Sequence, residues 1–266
     1  MSEPNFFALI VGSEILNQRR SDKHFNFLAA TLAQKGYTLS GSFVIEDDPA
    51  LIVRTIQFIA SQKNPVLFSF GGIGSTPDDY TRKAAAIALR DGELVTHDEA
   101  KKIIIDTLGE ARAYPYSVRM AELPKGATLL ENPVNNMPAF ALDERYFFMP
   151  GFPEMSHPMV EKILDTLLPN TRMIYRHTLT AACKENLFIP LTETLPKEVE
   201  FSSLPKLHDT NWQVAISIAS LDETLAFETF QKYVQLLEEK QIWVDTKMRD
   251  FAKLDSVFSN DQLDRG

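Results

Sequence analysis

The sequence predicts an α/β chain: a mostly parallel sheet whose crossovers are helical, followed by a small α+β domain. Three observations carry this. Short apolar runs alternate with amphipathic stretches through the first 90 residues, the order that right-handed crossovers between parallel strands require. PVLFSF (65–70) is apolar on both faces, as at the centre of a parallel sheet. After Gly151 no glycine occurs until Gly266, and this change of composition marks a second domain from about Pro169.

FFALIVG (6–12) reads as a buried strand ending in glycine, with SEIL leading off it. SDKHFNFLAATLAQKG (21–36) reads as a helix. Ser21 is placed to cap it, Phe25, Leu28, Ala29 and Leu32 line one face, and Gly36 closes it. YTLSGSFVIEDD (37–48) is β-like and ends in acids. Asp48-Pro49 opens a helix to about Gln62, with Ile52, Ile56 and Ile59 on one stripe. Behind the strand 65–70 come a glycine loop and a helix, YTRKAAAIALRDG, reaching Gly92. HDEAKKIIIDTLGEAR (97–112) is a further amphipathic helix. Residues 127–155 hold short strands between proline- and asparagine-rich loops, and a helix from about His157 to Leu168 ends the large domain, 1–169.

In the small domain, 170–245, WQVAISIAS (212–220) reads as a strand with Val214, Ile216 and Ile218 alternating. Residues 221–240 form a helix with Leu225, Phe227, Phe230, Val234 and Leu237 near one side. The polar tail, 246–266, is expected to be a loose helix or disordered.

The net charge of −9 argues against a nonspecific nucleic-acid binder, which needs a basic face. Cys183 is the only cysteine, so an intramolecular disulfide is excluded and a reducing compartment fits. Cys183 reads as a packed small residue. The N-terminus lacks a basic region followed by a long apolar core, and no apolar run approaches the roughly 20 residues of a membrane helix. A soluble cytoplasmic protein with no membrane partner is expected. The five histidines show no short zinc-ligand spacing, and His24 alone falls near the first loop.

GGIGSTPDDYT (71–81) carries the chemistry. Gly71, Gly72 and Gly74 let the backbone approach a ligand, and inward amides before a helix N-terminus suit a phosphate. No lysine completes a Walker A loop, and the spacing is not that of a dinucleotide fold. Two acids follow, Asp78 and Asp79, which repel an anion unless a divalent ion (Mg²⁺, Mn²⁺ or Co²⁺) bridges them to it. Glu46-Asp47-Asp48 ends the neighbouring strand, so Asp47 is placed to join Asp78 and Asp79 as a metal ligand. The alternative is capping: Thr76 as N-cap, Pro77 at the first helical position and Asp79 as the acid reaching back, with Asp48 before Pro49 alike. One acid can cap while its neighbour binds metal, so both readings stand.

The same loop resembles the Gly-Gly-x-Gly-x-Thr-x-Asp-Asp-x-Thr signature of the molybdopterin-binding (MoaB/Mog) domain, in the version found in competence/damage-inducible CinA proteins. LIVGSEIL, VIEDDPALI, AELPKGATLLENPVNNMPAFAL and FMPGFPEM resemble further blocks of that family in the same order, over about 6–168. The resemblance implies a three-layer αβα fold with ligand over the glycine loop. By it, Gly71, Gly72 and Gly74, with Ser75 and Thr76, hold phosphate. Asp47 and Asp79 take the catalytic positions. Gly12, Ser13 and Glu14 form the first ligand-side turn. Asn132, Pro133, Pro150, Gly151, Pro153 and Glu154 form the far wall.

Four departures stand out: Ser75 and Phe152 where the family has proline, Ala139 where glycine is common, and RRSDKHF (19–25) in place of the usual Asn-Thr-Asn segment. The amidohydrolase domain that often follows in CinA proteins is not expected here, so neither is deamidation. The small domain resembles the KH-like domain of CinA, but it lacks the Gly-x-x-Gly loop that clamps RNA. Oligomer contact or lid duty is its expected role, in a homo-oligomer with a dimer first. The activity expected is metal-dependent pyrophosphatase action on ADP-ribose or a similar nucleotide diphosphate. The alternatives are molybdopterin binding or adenylyl transfer, and a nucleotide- or pterin-binding module without turnover.

Overall fold

The densest apolar runs of the chain become its innermost strands. The computed structural model describes residues 3–208 and 211–246. The chain divides into two compact units, Met1–Thr171 and Arg172–Gly266. The first unit opens with β1 (Asn5–Val11), α1 (Ser13–Leu16), α2 (His24–Gln34), β2 (Leu39–Ile45), α3 (Pro49–Ala60), β3 (Pro65–Phe70) and α4 (Thr81–Leu89). It continues with β4 (Leu94–Thr96), α5 (Asp98–Leu108), α6 (Glu110–Ala113), β5 (Glu122–Pro124), β6 (Thr128–Leu130), β7 (Ala139–Leu142), β8 (Tyr146–Met149) and α7 (Pro153–Leu167).

The main sheet has the order β2-β1-β3-β8-β7-β6. Its first four strands run parallel, and β7 and β6 are antiparallel additions. Every residue of β3 is buried, as a central strand requires. α2 packs against α7, and α3 against α4, so helices cover the sheet as separate pairs. Ile52, Ile56 and Ile59 are fully buried from α3, and Leu28 and Leu32 from α2.

Several expectations are corrected. Ser21 does not cap α2. The N-cap is Lys23, and the acceptor is Asp22 just before it, its two carboxylate oxygens accepting from the backbone N–H of His24 (2.8 Å) and Phe25 (3.1 Å). Phe25 is exposed, and the buried face instead runs His24, Leu28, Leu32, one i, i+4 row beginning with a histidine. The 97–112 stretch is two helices, because Gly109 takes φ +77° and ends the first. α7 starts at Pro153 rather than near His157, with proline at its first position. The β4–β5 pair has three residues a side, too short for any periodicity to announce it.

The second unit comprises β9 (Tyr175–Ala181), α8 (Ile189–Thr192), β10 (Glu200–His208), β11 (Asn211–Ser220), α9 (Glu223–Glu239) and β12 (Val244–Asp245). Its antiparallel sheet has the order β10-β11-β9-β12. Phe230, Tyr233 and Leu237 of α9 pack with Leu179, Val214, Ile216 and Ile218. Phe227, expected in this core, is exposed; the buried row is Ala226, Thr229, Phe230, Tyr233 and Leu237. Burial raises the Cys183 thiol to about 11, which makes it a poor nucleophile. The expected polar tail lies, from residue 247 on, outside the described residues.

Candidate functional site

Parallel strands place the loops at their carboxyl ends along one edge of the sheet. The strand order β2-β1-β3-β8 therefore lines up residues 46–48, 12–14, 71–76 and 150–154. The chain leaves β1 for β2 on one side and returns past β1 to β3 on the other. A crevice opens at such a reversal, and ligands of open α/β sheets bind there. Gly12 and Gly71 sit at its two lips. Gly12 N–H donates to the Ile45 carbonyl, and Gly71 N–H donates to that of Met149, both at 3.0 Å.

Main chain crowds this edge. Gly71 and Gly72 have φ of +97° and +69°, a region costly for other residues. A Cβ on Gly71 would lie 2.3 Å from the Val11 carbonyl oxygen, and one on Gly72 would lie 2.3 Å from the Thr81 hydroxyl. A Cβ on Gly151 would lie 3.3 Å from the Gly71 Cα, so the loop after β8 rests directly on the loop after β3.

Arg82, which is not among the sequence-predicted site residues, holds the loop from beneath. Its guanidinium donates to the carbonyls of Gly74 (2.7 Å), Glu122 (3.1 Å) and Arg119. It is buried, and desolvation lowers its pKa against the pull of Asp79 and Glu122. The pattern could have flagged it, because Arg82 lies three and four residues before the buried Ala85 and Ala86, on the inner face of α4. Arg82 Nε, Thr81 Oγ1, Ser69 Oγ and His24 Nδ1 are buried without hydrogen-bond partners. A fifth such atom, His157 Nε2, lies on α7, so the set is not confined to the glycine loop.

The acids separate by role. Asp47 Oδ2 accepts from both the backbone N–H and the hydroxyl of Ser13, each at 2.8 Å, which ties the loop after β2 to the turn after β1. Asp48 caps α3 through Leu51 N–H at 2.6 Å, as the Asp-Pro step predicts. Asp79 Oδ2 accepts from the Thr76 N–H (2.8 Å) and hydroxyl (2.5 Å). Thr76 is not a helix N-cap, however. Asp79 N–H closes a turn onto the Thr76 carbonyl at 3.1 Å, and α4 begins only at Thr81. The reach of the acid back to residue 76 is the expected one, but it seals a turn. A bond to Thr76 lowers the pKa of the exposed Asp78.

Asp47, Asp78 and Asp79 thus do not gather as the expected metal centre. Among the described residues no three His, Cys, Asp or Glu side chains are placed to hold an ion. Asp47 Oδ2 is taken up by Ser13 and Asp79 Oδ2 by Thr76.

Glu14 lies in α1, 4.0 Å from the Arg20 guanidinium, and that guanidinium sits 5.4 Å over the Phe152 ring. Pro150 follows β8, Pro153 is buried at the first position of α7, and Glu154 is exposed one residue on. Asn132 is buried and spends its amide on its own turn, donating to Asn135 Oδ1 (2.8 Å) and accepting from Val134 N–H (3.1 Å). Asn135 touches the Met155 sulfur at 3.7 Å, which ties this turn to the start of α7. Pro133 is exposed. Ser75 is half-buried and Thr76 exposed in the glycine loop. Two cavities of about 510 and 460 Å³ flank β6, on the α7 and α5 sides; neither is lined by the glycine loop.

His24 lies under the Gly151 step. Its ring stacks on Phe70 (centroids 4.3 Å apart), and Nε2 is 3.4 Å from the Gly151 carbonyl oxygen. Burial lowers its pKa to about 4, so the ring is neutral near pH 7. His157 stands edge-on to it and stacks on Phe27.

The profile of the family described as "Probable molybdopterin binding domain" matches residues 7–170, most of the chain. The chain belongs to that molybdopterin-binding domain family. A protein of Pyrococcus abyssi is 30% identical over 254 residues, covering 88% of this chain and 96% of the relative. A CinA-like protein of Leptospira interrogans is 31% identical over 183 residues, covering 63% of this chain and 43% of that protein. The crystal structure of the protein CinA with unknown function from Thermoplasma acidophilum aligns with a TM-score of 0.55 at 26% identity, over 62% of this chain and 98% of that one. The family match ends at the boundary between the two units, so the molybdopterin-binding domain is the first unit. No helix among the described residues is long and apolar enough to cross a membrane.

Proposed function

We propose that the first unit binds a phosphorylated pterin or nucleotide, of the molybdopterin type, across the crevice between β1 and β3. The observation that carries this is the pair of left-handed glycines, Gly71 and Gly72, at the β3 edge with Gly151 against them. Gly71 N–H is spent on Met149 and Thr76 N–H on Asp79, so the amides between them are the ones this bare main chain offers a phosphate. Membership of the molybdopterin-binding family supplies the ligand class. Arg82 beneath the loop adds fixed positive charge.

Hydrolysis of a nucleotide diphosphate such as ADP-ribose is the second reading. One observation favours it: both bonds from Ser13 fall on Asp47 Oδ2, so Oδ1 keeps its lone pairs for an attacking water. No step is assigned to a resident metal ion, since the acids do not form a centre for one.

The test is equilibrium binding of molybdopterin, AMP and ADP-ribose to the full chain, with product analysis in the presence and absence of Mg²⁺, Mn²⁺ or Co²⁺. Binding that survives without turnover supports the first reading. AMP release that Asp47→Asn abolishes supports the second. A chain that binds none of the three refutes both.

A further inference from the structure

Phe152 is an exposed phenylalanine held in place. It is 55% exposed, yet its backbone is pinned as the N-cap residue of α7. Its carbonyl accepts from Met155 and Ser156 N–H, both at 3.0 Å, and from the Ser156 hydroxyl at 3.1 Å. The Arg20 guanidinium lies 5.4 Å over the ring. Arg20 is itself anchored, its N–H donating to the Glu14 carbonyl at 3.1 Å and its side chain 4.0 Å from the Glu14 carboxylate.

These contacts fix Phe152 on the rim of the proposed site from two directions. Through Arg20 and Glu14 it connects to Ser13 and so to Asp47. Through Gly151, its immediate neighbour, it connects to Gly71. An apolar ring left in water is a standing cost, and a cation–π contact alone recovers only part of it. A ring with a cation on one side, beside a phosphate-accepting loop, is what a planar heteroaromatic ligand needs to stack on. Such stacking tolerates different bases, because each offers a π-face.

We infer that Phe152, steadied by Arg20, is the stacking platform that recognises the planar ring of the ligand, whether purine or pterin. It makes this chain select ring-bearing phosphates over ring-free ones. This rests on the phosphate-binding reading above and adds to it the residue that reads the other end of the ligand.

The test compares AMP and molybdopterin with ribose 5-phosphate, using the full chain and its Phe152→Ala and Phe152→Trp variants in calorimetric titrations. Phe152→Ala is expected to weaken the ring-bearing ligands about tenfold or more, leaving ribose 5-phosphate within about twofold, and Phe152→Trp to keep them near wild type. Equal loss for ring-bearing and ring-free ligands in Phe152→Ala overturns the platform, as does no loss at all. A wild-type chain that prefers neither ring-bearing ligand also overturns it, while leaving phosphate binding intact. Failure of the wild type to bind any of them overturns the phosphate reading together with the platform.

Discussion

At the scale of single residues, the glycine loop makes an ordered prediction. Alanine at Gly71 meets a backbone carbonyl in a left-handed conformation. At Gly72 it meets a threonine hydroxyl in the same conformation, and at Gly74, which has no left-handed φ, it meets only the Asp79 carboxylate, 2.6 Å away, whose shift costs its two bonds to Thr76 but no backbone strain. Urea denaturation should therefore rank Gly71→Ala as the most destabilising and Gly74→Ala as the least. Gly71→Ala should cost roughly 3 kcal/mol or more and Gly72→Ala about 1–3 kcal/mol. Equal losses at the three positions would contradict the geometry. His24 gives a pH signature. Its pKa falls from 6.5 unfolded to about 4 folded, so the unfolded chain binds the extra proton between those values. Stability from this group is full above pH 6.5 and declines as pH falls toward 4, by on the order of 2 kcal/mol after partial screening. His24→Phe, which keeps the stack on Phe70, should lose less stability than wild type between pH 7 and pH 4.5. Parallel curves would refute the assignment.

At the scale of elements, helix starts follow side-chain acceptors rather than the first plausible letter. Asp48→Ala should cost about 1 kcal/mol in a thermal or urea melt, since it frees Leu51 N–H. Ser21→Ala should cost close to nothing, because Asp22 is the acceptor at α2. If Ser21→Ala proves the worse of the two, the capping assignment fails. The strands of the main sheet were readable because β1 and β3 are continuous apolar runs, and α3 because Ile52, Ile56 and Ile59 repeat at helical spacing. The inner faces of α2 and α9 differ from the expected ones where an exposed phenylalanine outweighs its buried neighbour. Phe25 and Phe227 advertise hydrophobicity, but His24 and Ala226 have the burial. At the site, local spacing revealed the glycines, the Asp48 cap and the contact from residue 79 to 76. It did not reveal Arg82, whose partners at Arg119 and Glu122 are far along the chain, or that Asp47 is engaged by Ser13 across 34 residues. Long-range polar pairing leaves no periodicity in a single sequence.

At the scale of the whole molecule, two separate hydrophobic cores imply two folding units. The fragment 1–171 should fold alone, giving a cooperative urea transition and the ligand binding of the full chain. A non-cooperative transition, or loss of binding in a folded fragment, would mean that the first unit depends on the second. The abrupt end of glycine usage foretold a change of architecture, and the antiparallel sheet of the second unit is that change. The meeting of Gly151 and Gly71 reaches furthest. Where two stretches of peptide touch with no side chain between them, the gap has no adjustable spacer. Substitution there can jam the crevice but cannot widen it by degrees. Descendants of this sequence that acquire a new ligand must therefore change the furniture around the doorway, because its frame offers no residue to trim.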